Sequence, residues 1–76
     1  MNETVKIWLD DLLKSTGKST TEQLTREEIL AEIEEIRGTI SNERLWARAD
    51  PIHEENIVVL IEYLIVLEGL YGKSGG

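Results

Sequence analysis

Residues 54–71 read EENIVVLIEYLIVLEGLY, the most apolar stretch of the chain. After Glu55 its only charged residues are Glu62 and Glu68. On a helical wheel its apolar side chains cover most of the circumference and leave only a narrow polar stripe. A surface helix has an apolar stripe of only about 100°. The stretch therefore predicts a central helix that is covered from several sides, which favours an oligomer.

The residues that flank this stretch predict where its helix begins and ends. Asp50 precedes Pro51, and a residue before proline is pushed out of the α region, whereas proline fits a first helical turn. The helix is therefore predicted over 51–71, with Asp50 as its cap. Gly72 is predicted to end it in a left-handed conformation, and residues 73–76 are expected to form a flexible tail.

The preceding helix has a well-marked beginning. Thr25 and Glu28 have the spacing of a capping box, and Leu24 and Ile29 have that of a hydrophobic staple. These residues predict a helix over 26–49. The helical period of its isoleucines continues across a glycine, whose cost of about 1 kcal/mol relative to alanine does not break a well-packed helix.

The alternative for this segment is a stop at Gly38 and a restart with Ser41 as the N-cap. Leu45 favours the restart, because a continuous helix places its side chain toward solvent. The continuous helix is the better prediction, and its length then matches that of the helix that follows.

Two helices of similar length joined by a short turn form an antiparallel hairpin. The predicted seam is Ile29, Ile33, Ile36 and Ile40 against Leu67, Leu64, Leu60 and Ile57.

A shorter amphipathic helix is predicted over 3–14. Val5, Trp8, Leu9 and Leu12 recur at helical spacing, and such a short helix needs a surface to pack on. Gly17 is predicted to stop it, and the polar residues that follow form a connecting loop.

The predicted fold is therefore all-α, with a short N-terminal helix followed by an antiparallel two-helix hairpin in one domain over 1–72. One 76-residue chain buries a modest fraction of its surface. We expect the first helix to fold back onto the hairpin and two hairpins to meet, forming a homodimeric helical bundle. The predicted oligomer interface is Val59, Ile61, Ile65, Val66 and Leu70.

Composition limits the chemistry available to the chain. It has no cysteine and one histidine, which excludes disulfides, thiolate metal sites and an imidazole-based zinc site within one chain. Fifteen acidic residues against eight basic ones give a net charge of −7. Such a chain is repelled by nucleic acids and anionic membranes, so a basic protein is the better partner.

The N-terminus does not have the pattern of a signal peptide, and the apolar run at 57–67 is too short to span a bilayer. We expect a cytoplasmic protein.

Catalytic patterns are weak. The lone His53 has the position of a capping-turn histidine, and the Gly-Lys-Ser at 17–19 lacks the first glycine and the strand of a phosphate-binding loop. We expect no enzymatic activity and no cofactor. The alternative is a metal-dependent all-α nucleotide hydrolase assembled across a dimer, for which Glu27, Glu28 and Glu32 are the acidic residues. No Glu-x-x-His pair is present, and neither Glu55 nor Glu62 has an aspartate three positions later.

The predicted function is protein–protein binding by a small acidic oligomer. A phage or mobile-element regulator or inhibitor of a basic, nucleic-acid-handling protein fits this profile, and a structural assembly module is the second alternative. Glutamates crowd the first half of the second helix, whereas arginines and a tryptophan, the usual interface anchors, lie in its second half. Trp46 is expected to seal the end of the hairpin core or to contact the partner. The predicted partner-binding residues are Glu27, Glu28, Glu32, Glu34, Glu35, Arg44, Trp46 and Arg48.

Overall fold

A computed structural model describes residues 2–74, and in that range the chain contains three α-helices and no strand. They are α1 (Glu3–Thr16), α2 (Arg26–Ala47) and α3 (Ile52–Ser74). A single 3-10 turn at Thr21–Gln23 lies in the connection between α1 and α2. The hairpin of α2 and α3 packs against α1, chiefly through α3. The all-α prediction of a short helix followed by a two-helix hairpin is confirmed.

The ends of α1 follow from its local sequence. The Asn2 side chain accepts a hydrogen bond from the Thr4 amide at 2.8 Å and caps the first turn. Gly17 adopts a left-handed conformation with φ 72°, and its amide donates to carbonyl groups of the last turn. The predicted stop at Gly17 is therefore confirmed, although the helix runs two residues beyond the predicted range of 3–14.

The capping box at the start of α2 is present in both directions. The Glu28 amide donates to Thr25 Oγ1 at 3.1 Å, and the Thr25 amide donates to Glu28 Oε1 at 2.8 Å. The hydrogen bond from the Thr25 backbone is the main reason that the pKa of Glu28 is lowered. α2 then continues through Gly38 to Ala47. The continuous helix is confirmed, and the alternative restart at Ser41 is wrong.

The start of α3 was predicted correctly, but its end was not. Asp50 Oδ1 accepts a hydrogen bond from the Ile52 amide at 3.1 Å, as expected of a cap. Gly72 remains in right-handed helical conformation, and α3 continues to Ser74. The carbonyl groups at an open helix end can be hydrated, so no left-handed residue is required there. The predicted tail is therefore helical at 73–74, and its residues 75–76 lie outside the described range.

The core lies along the hairpin seam and extends under α1. Tyr63, Ile29, Leu67 and Val5 are almost completely inaccessible. Both faces of the predicted seam contribute to it, and α1 adds Val5 and one leucine. The buried hydrophobic side chains of the described residues are Val5, Leu12, Leu24, Ile29, Ile33, Ile40, Leu60, Tyr63 and Leu67.

Candidate protein-binding surface

The turn between α2 and α3, which we call the hairpin tip (residues 44–53), is held by several hydrogen bonds. The Trp46 carbonyl accepts from the amides of Ala49 at 3.0 Å and Asp50 at 3.1 Å. The side chains of Glu43 and His53 contact each other across the turn, and both are partly buried. These bonds connect the last turn of α2 to the first turn of α3, so the backbone at the tip has a defined shape.

Three large apolar side chains project from this tip. Leu45, Trp46 and Ile52 are 64%, 63% and 61% exposed, and we call them the tip patch. The expectation that Trp46 seals the end of the core is wrong. Trp46 lies six positions after the buried Ile40, and six helical steps rotate a side chain by about 240°. Trp46 therefore points away from the seam.

Arg44 and Arg48 flank the tip patch and are exposed. Within residues 2–74, neither has a carboxylate within 4.0 Å; Arg37 pairs with Glu68, and the carboxylate of Glu43 contacts His53. The structure therefore brings three predicted partner-binding residues, Arg44, Trp46 and Arg48, to one end of the molecule. Sequence reasoning did not include Leu45 and Ile52 in this group, although both flank the proline turn.

The five predicted partner-binding glutamates do not form one patch. Glu27 and Glu34 lie on one stripe of α2, and Glu28 and Glu35 lie on another, because each pair is seven residues apart. Glu28 is used in the capping box. Glu32 is only partly exposed and turns toward α3. The glutamates that remain exposed and without these roles are Glu27, Glu34 and Glu35.

Glu32 belongs to a polar cluster in which α1, α2 and α3 meet. Its Oε2 accepts a hydrogen bond from the Tyr63 hydroxyl at 2.7 Å, and the Trp8 ring centroid lies 5.6 Å from that of Tyr63. Burial raises the pKa of Glu32, and the nearby Glu35 adds to the effect, although the bond from Tyr63 opposes it. Burial also raises the pKa of Tyr63, and its hydrogen bond to the Glu32 carboxylate raises it further. The sequence contains one signal for this pair: a tyrosine lies within the apolar face of α3, where the predicted hairpin places it opposite a glutamate of α2.

The predicted oligomer interface is divided by the fold. Val59, Val66 and Leu70 are partly buried and pack against the core of their own chain. Ile61 and Ile65 remain exposed. The first group has therefore lost part of its surface to intrachain packing, and the second remains available to another chain.

The residues of the hydrolase alternative do not converge. Glu28 binds the Thr25 amide and Glu32 binds Tyr63, while Glu27 lies on a different stripe of α2. Among residues 2–74, no group of three or more His, Asp or Glu side chains is arranged to hold a metal ion. A search of the same residues shows that none of the three helices combines the length and the apolar character needed to cross a membrane.

Known proteins place no further constraint on the chain. It matches no protein-family model, no curated protein and no solved structure. Its surface chemistry is therefore the basis for assigning a function.

Proposed function

We propose that this chain is a cytoplasmic binding protein that contacts a basic protein through the tip patch. The observation that carries the proposal is the exposure of Leu45, Trp46 and Ile52 together at one end of the hairpin. Single exposed apolar residues are ordinary, whereas several together mark an interaction surface.

The composition and rigidity of the tip support this role. Tryptophan and arginine are enriched among the residues that dominate binding energies, and here Trp46 lies between Arg44 and Arg48 in the sequence. The hydrogen bonds to the Trp46 carbonyl and the contact between Glu43 and His53 hold the backbone. A surface that is already ordered loses less conformational entropy on binding.

The charge of the chain defines the class of partner. At a net charge of −7, it attracts a basic protein at long range. The exposed Glu27, Glu34 and Glu35 contribute to this field and are not used for capping or core hydrogen bonds. A regulator or inhibitor encoded by a phage or mobile element, acting on a nucleic-acid-handling protein, fits this chemistry.

The first test is a quantitative affinity capture from the native host with wild-type protein, Trp46→Ala and Ile7→Ala. Ile7 is a matched control because it is also apolar and exposed but lies on α1. We expect wild type and Ile7→Ala to retain the same basic protein and Trp46→Ala to lose it. For the purified pair, removal of a tryptophan anchor should cost about 2 kcal/mol or more. Equal retention by all three proteins would exclude the tip patch.

The second test concerns the charge of the partner. Glu27, Glu34 and Glu35 are replaced together by glutamine, which leaves the capping box and the bond from Tyr63 intact. We expect a slower association rate with the captured protein and a weaker dependence of that rate on salt. An unchanged rate and salt dependence would show that electrostatic attraction by these residues does not contribute.

A further inference from the structure

The two-helix hairpin has a face that α1 leaves uncovered, which we call the open face. α1 lies on the other side, where Trp8 contacts Tyr63. On α2, residues 30, 37 and 44 share one stripe because they are seven positions apart. This stripe meets α3 at a shallow pocket, which is lined by Arg37 and Arg44 of α2 and by Ile61 of α3. The residues of the open face are Leu30, Arg37 and Arg44 of α2 and Glu54, Val58, Ile61, Ile65 and Glu68 of α3.

Apolar side chains on this face are incompletely buried by the chain itself. Val58 and Ile65 are 56% and 63% exposed. Ile61 and Leu30 also retain more than a third of their accessible surface. Val58, Ile61 and Ile65 form a continuous row on α3, because steps of three and four residues return to the same side of a helix. Such a row is the usual seam of a helix–helix contact.

We propose that the open face is a homodimer interface, in which α3 packs antiparallel to α3 of a second copy around a two-fold axis near Ile61. This surface adjoins the tip patch at Arg44 but contains none of Leu45, Trp46 and Ile52, and it has a different occupant. The molecule measures 41 × 21 × 19 Å. The open face extends about 21 Å along α2, roughly half the length of the molecule, so it presents an area on the order of 400 Å², at the low end of the range for specific interfaces.

Charge favours a second copy as the occupant. Two chains of net charge −7 repel each other, so they can meet only where their own charges are balanced. The open face meets this condition, because Arg37 pairs with Glu68 at 3.2 Å and the positive charge of Arg44 is matched by the negative charge of Glu54. The long-range attraction of a foreign basic protein comes instead from the acidic residues outside this face.

The two-fold axis also makes the face complementary to itself. Antiparallel packing around Ile61 places Val58 opposite Ile65 of the second copy, so the apolar rows meet. The contact between Glu43 and His53 fixes the register of the hairpin and places Arg44 near the first turn of α3. Glu68 lies on the other side of Ile61 in α3. The same axis therefore brings Arg44 toward Glu68 of the second copy.

The primary test measures mass in solution across a concentration series by sedimentation equilibrium. We expect wild type to reach twice the chain mass of 8.6 kDa. Ile65→Glu should raise the dissociation constant by at least about 100-fold, because the dimer would bury the new charge twice. Ile7→Glu is the matched control, because it makes the same substitution at an exposed isoleucine of α1, and it should remain dimeric. Far-UV circular dichroism checks that each variant is folded, and Val58→Glu serves as the second interface variant.

A crosslinking experiment tests the two-fold axis. The chain has no cysteine, so Ile61→Cys introduces a single thiol. A disulfide requires Cα atoms within about 7 Å, a distance that a residue next to the two-fold axis satisfies. Under mild oxidation we expect Ile61→Cys to form a covalent dimer at least about ten times faster than Ile7→Cys.

Three results would overturn the proposal. The first is a wild-type chain that remains monomeric at about 0.5 mM, far above the range of specific complexes. The second is a dimer that Ile65→Glu and Val58→Glu leave intact, since its interface would lie elsewhere. The third is equal crosslinking of Ile61→Cys and Ile7→Cys. None of these measurements involves Trp46, so the outcome is independent of the proposed binding at the tip.

Discussion

The hydroxyl of Tyr63 donates a hydrogen bond to Glu32 Oε2 at 2.7 Å and thereby links α3 to α2 inside the molecule. The Tyr63 ring is buried, and Trp8 of α1 packs against it. One side chain therefore contacts all three helices. Loss of its hydroxyl would leave a partly buried carboxylate without that donor, and a buried polar group without its partner is costly.

Tyr63→Phe is expected to lower the free energy of unfolding by about 1–3 kcal/mol, because it removes the donor and keeps the ring. Urea denaturation monitored by circular dichroism measures this change. Glu34→Gln is the control, since Glu34 is exposed on the same helix and its replacement should change stability by less than about 0.5 kcal/mol. Equal stabilities for Tyr63→Phe and wild type would show that water replaces the lost donor.

The raised pKa of Glu32 gives a pH dependence of known sign. The folded state holds the Glu32 proton more tightly than the unfolded state, so this residue stabilises the fold most at low pH. Its contribution is lost as pH rises from the ordinary glutamate pKa through the raised value. Glu28, whose pKa is lowered, has the opposite effect: its contribution is present above the ordinary pKa and is lost as pH falls.

Glu32→Gln isolates the first of these effects. Glutamine keeps a carbonyl acceptor for Tyr63 but cannot ionise. We expect its stability relative to wild type to increase between pH 4 and pH 7, as wild type acquires a desolvated charge. Urea titrations of both proteins at several pH values provide the comparison. Curves that stay parallel over this range would mean that Glu32 has the same proton affinity in the folded and unfolded states.

Two glycines should respond to alanine in opposite directions. Gly38 lies inside α2, and a Cβ there would meet no atom within 4 Å, so Gly38→Ala should stabilise the protein by about 0.5–1 kcal/mol. Gly17 has φ 72°, so Gly17→Ala should destabilise it by about 1–2 kcal/mol because of backbone strain. Thermal melting of both variants gives a direct test. A destabilised Gly38→Ala would contradict the continuous helix.

Local chemistry explains which parts of this fold could be predicted. The boundary at Asp50, the capping box of Thr25 and the stop at Gly17 each depend on residues adjacent in sequence, and all three are present. The contact between Glu32 and Tyr63 joins residues 31 positions apart, so no local rule specifies it. Local rules also do not specify which flank of α3 is covered by α1. That choice determines whether Val59 or Ile61 remains exposed.

The candidate site was predicted less completely than the fold for the same reason. Trp46 and its neighbouring arginines were identified by residue type, which does not depend on tertiary contacts. Glu28 and Glu32 were assigned to a partner-binding surface because acidic residues crowd the first half of α2, yet both bind groups of their own chain. Spacing specifies the side of a helix and leaves open whether another helix already occupies it.

Leu67 provides the most direct test of the hairpin core. It is 0% exposed, and Leu67→Ala would remove every side-chain carbon beyond Cβ, leaving a cavity between α2 and α3. We expect a loss of about 2–5 kcal/mol, a large part of the stability of a domain this small. Ile7→Ala is the control, because Ile7 is 56% exposed on α1 and alanine favours the helix. Both are measured by urea denaturation at a protein concentration held constant, since self-association would otherwise add to the apparent stability. A loss below about 1 kcal/mol for Leu67→Ala would mean that α2 and α3 do not close around this side chain.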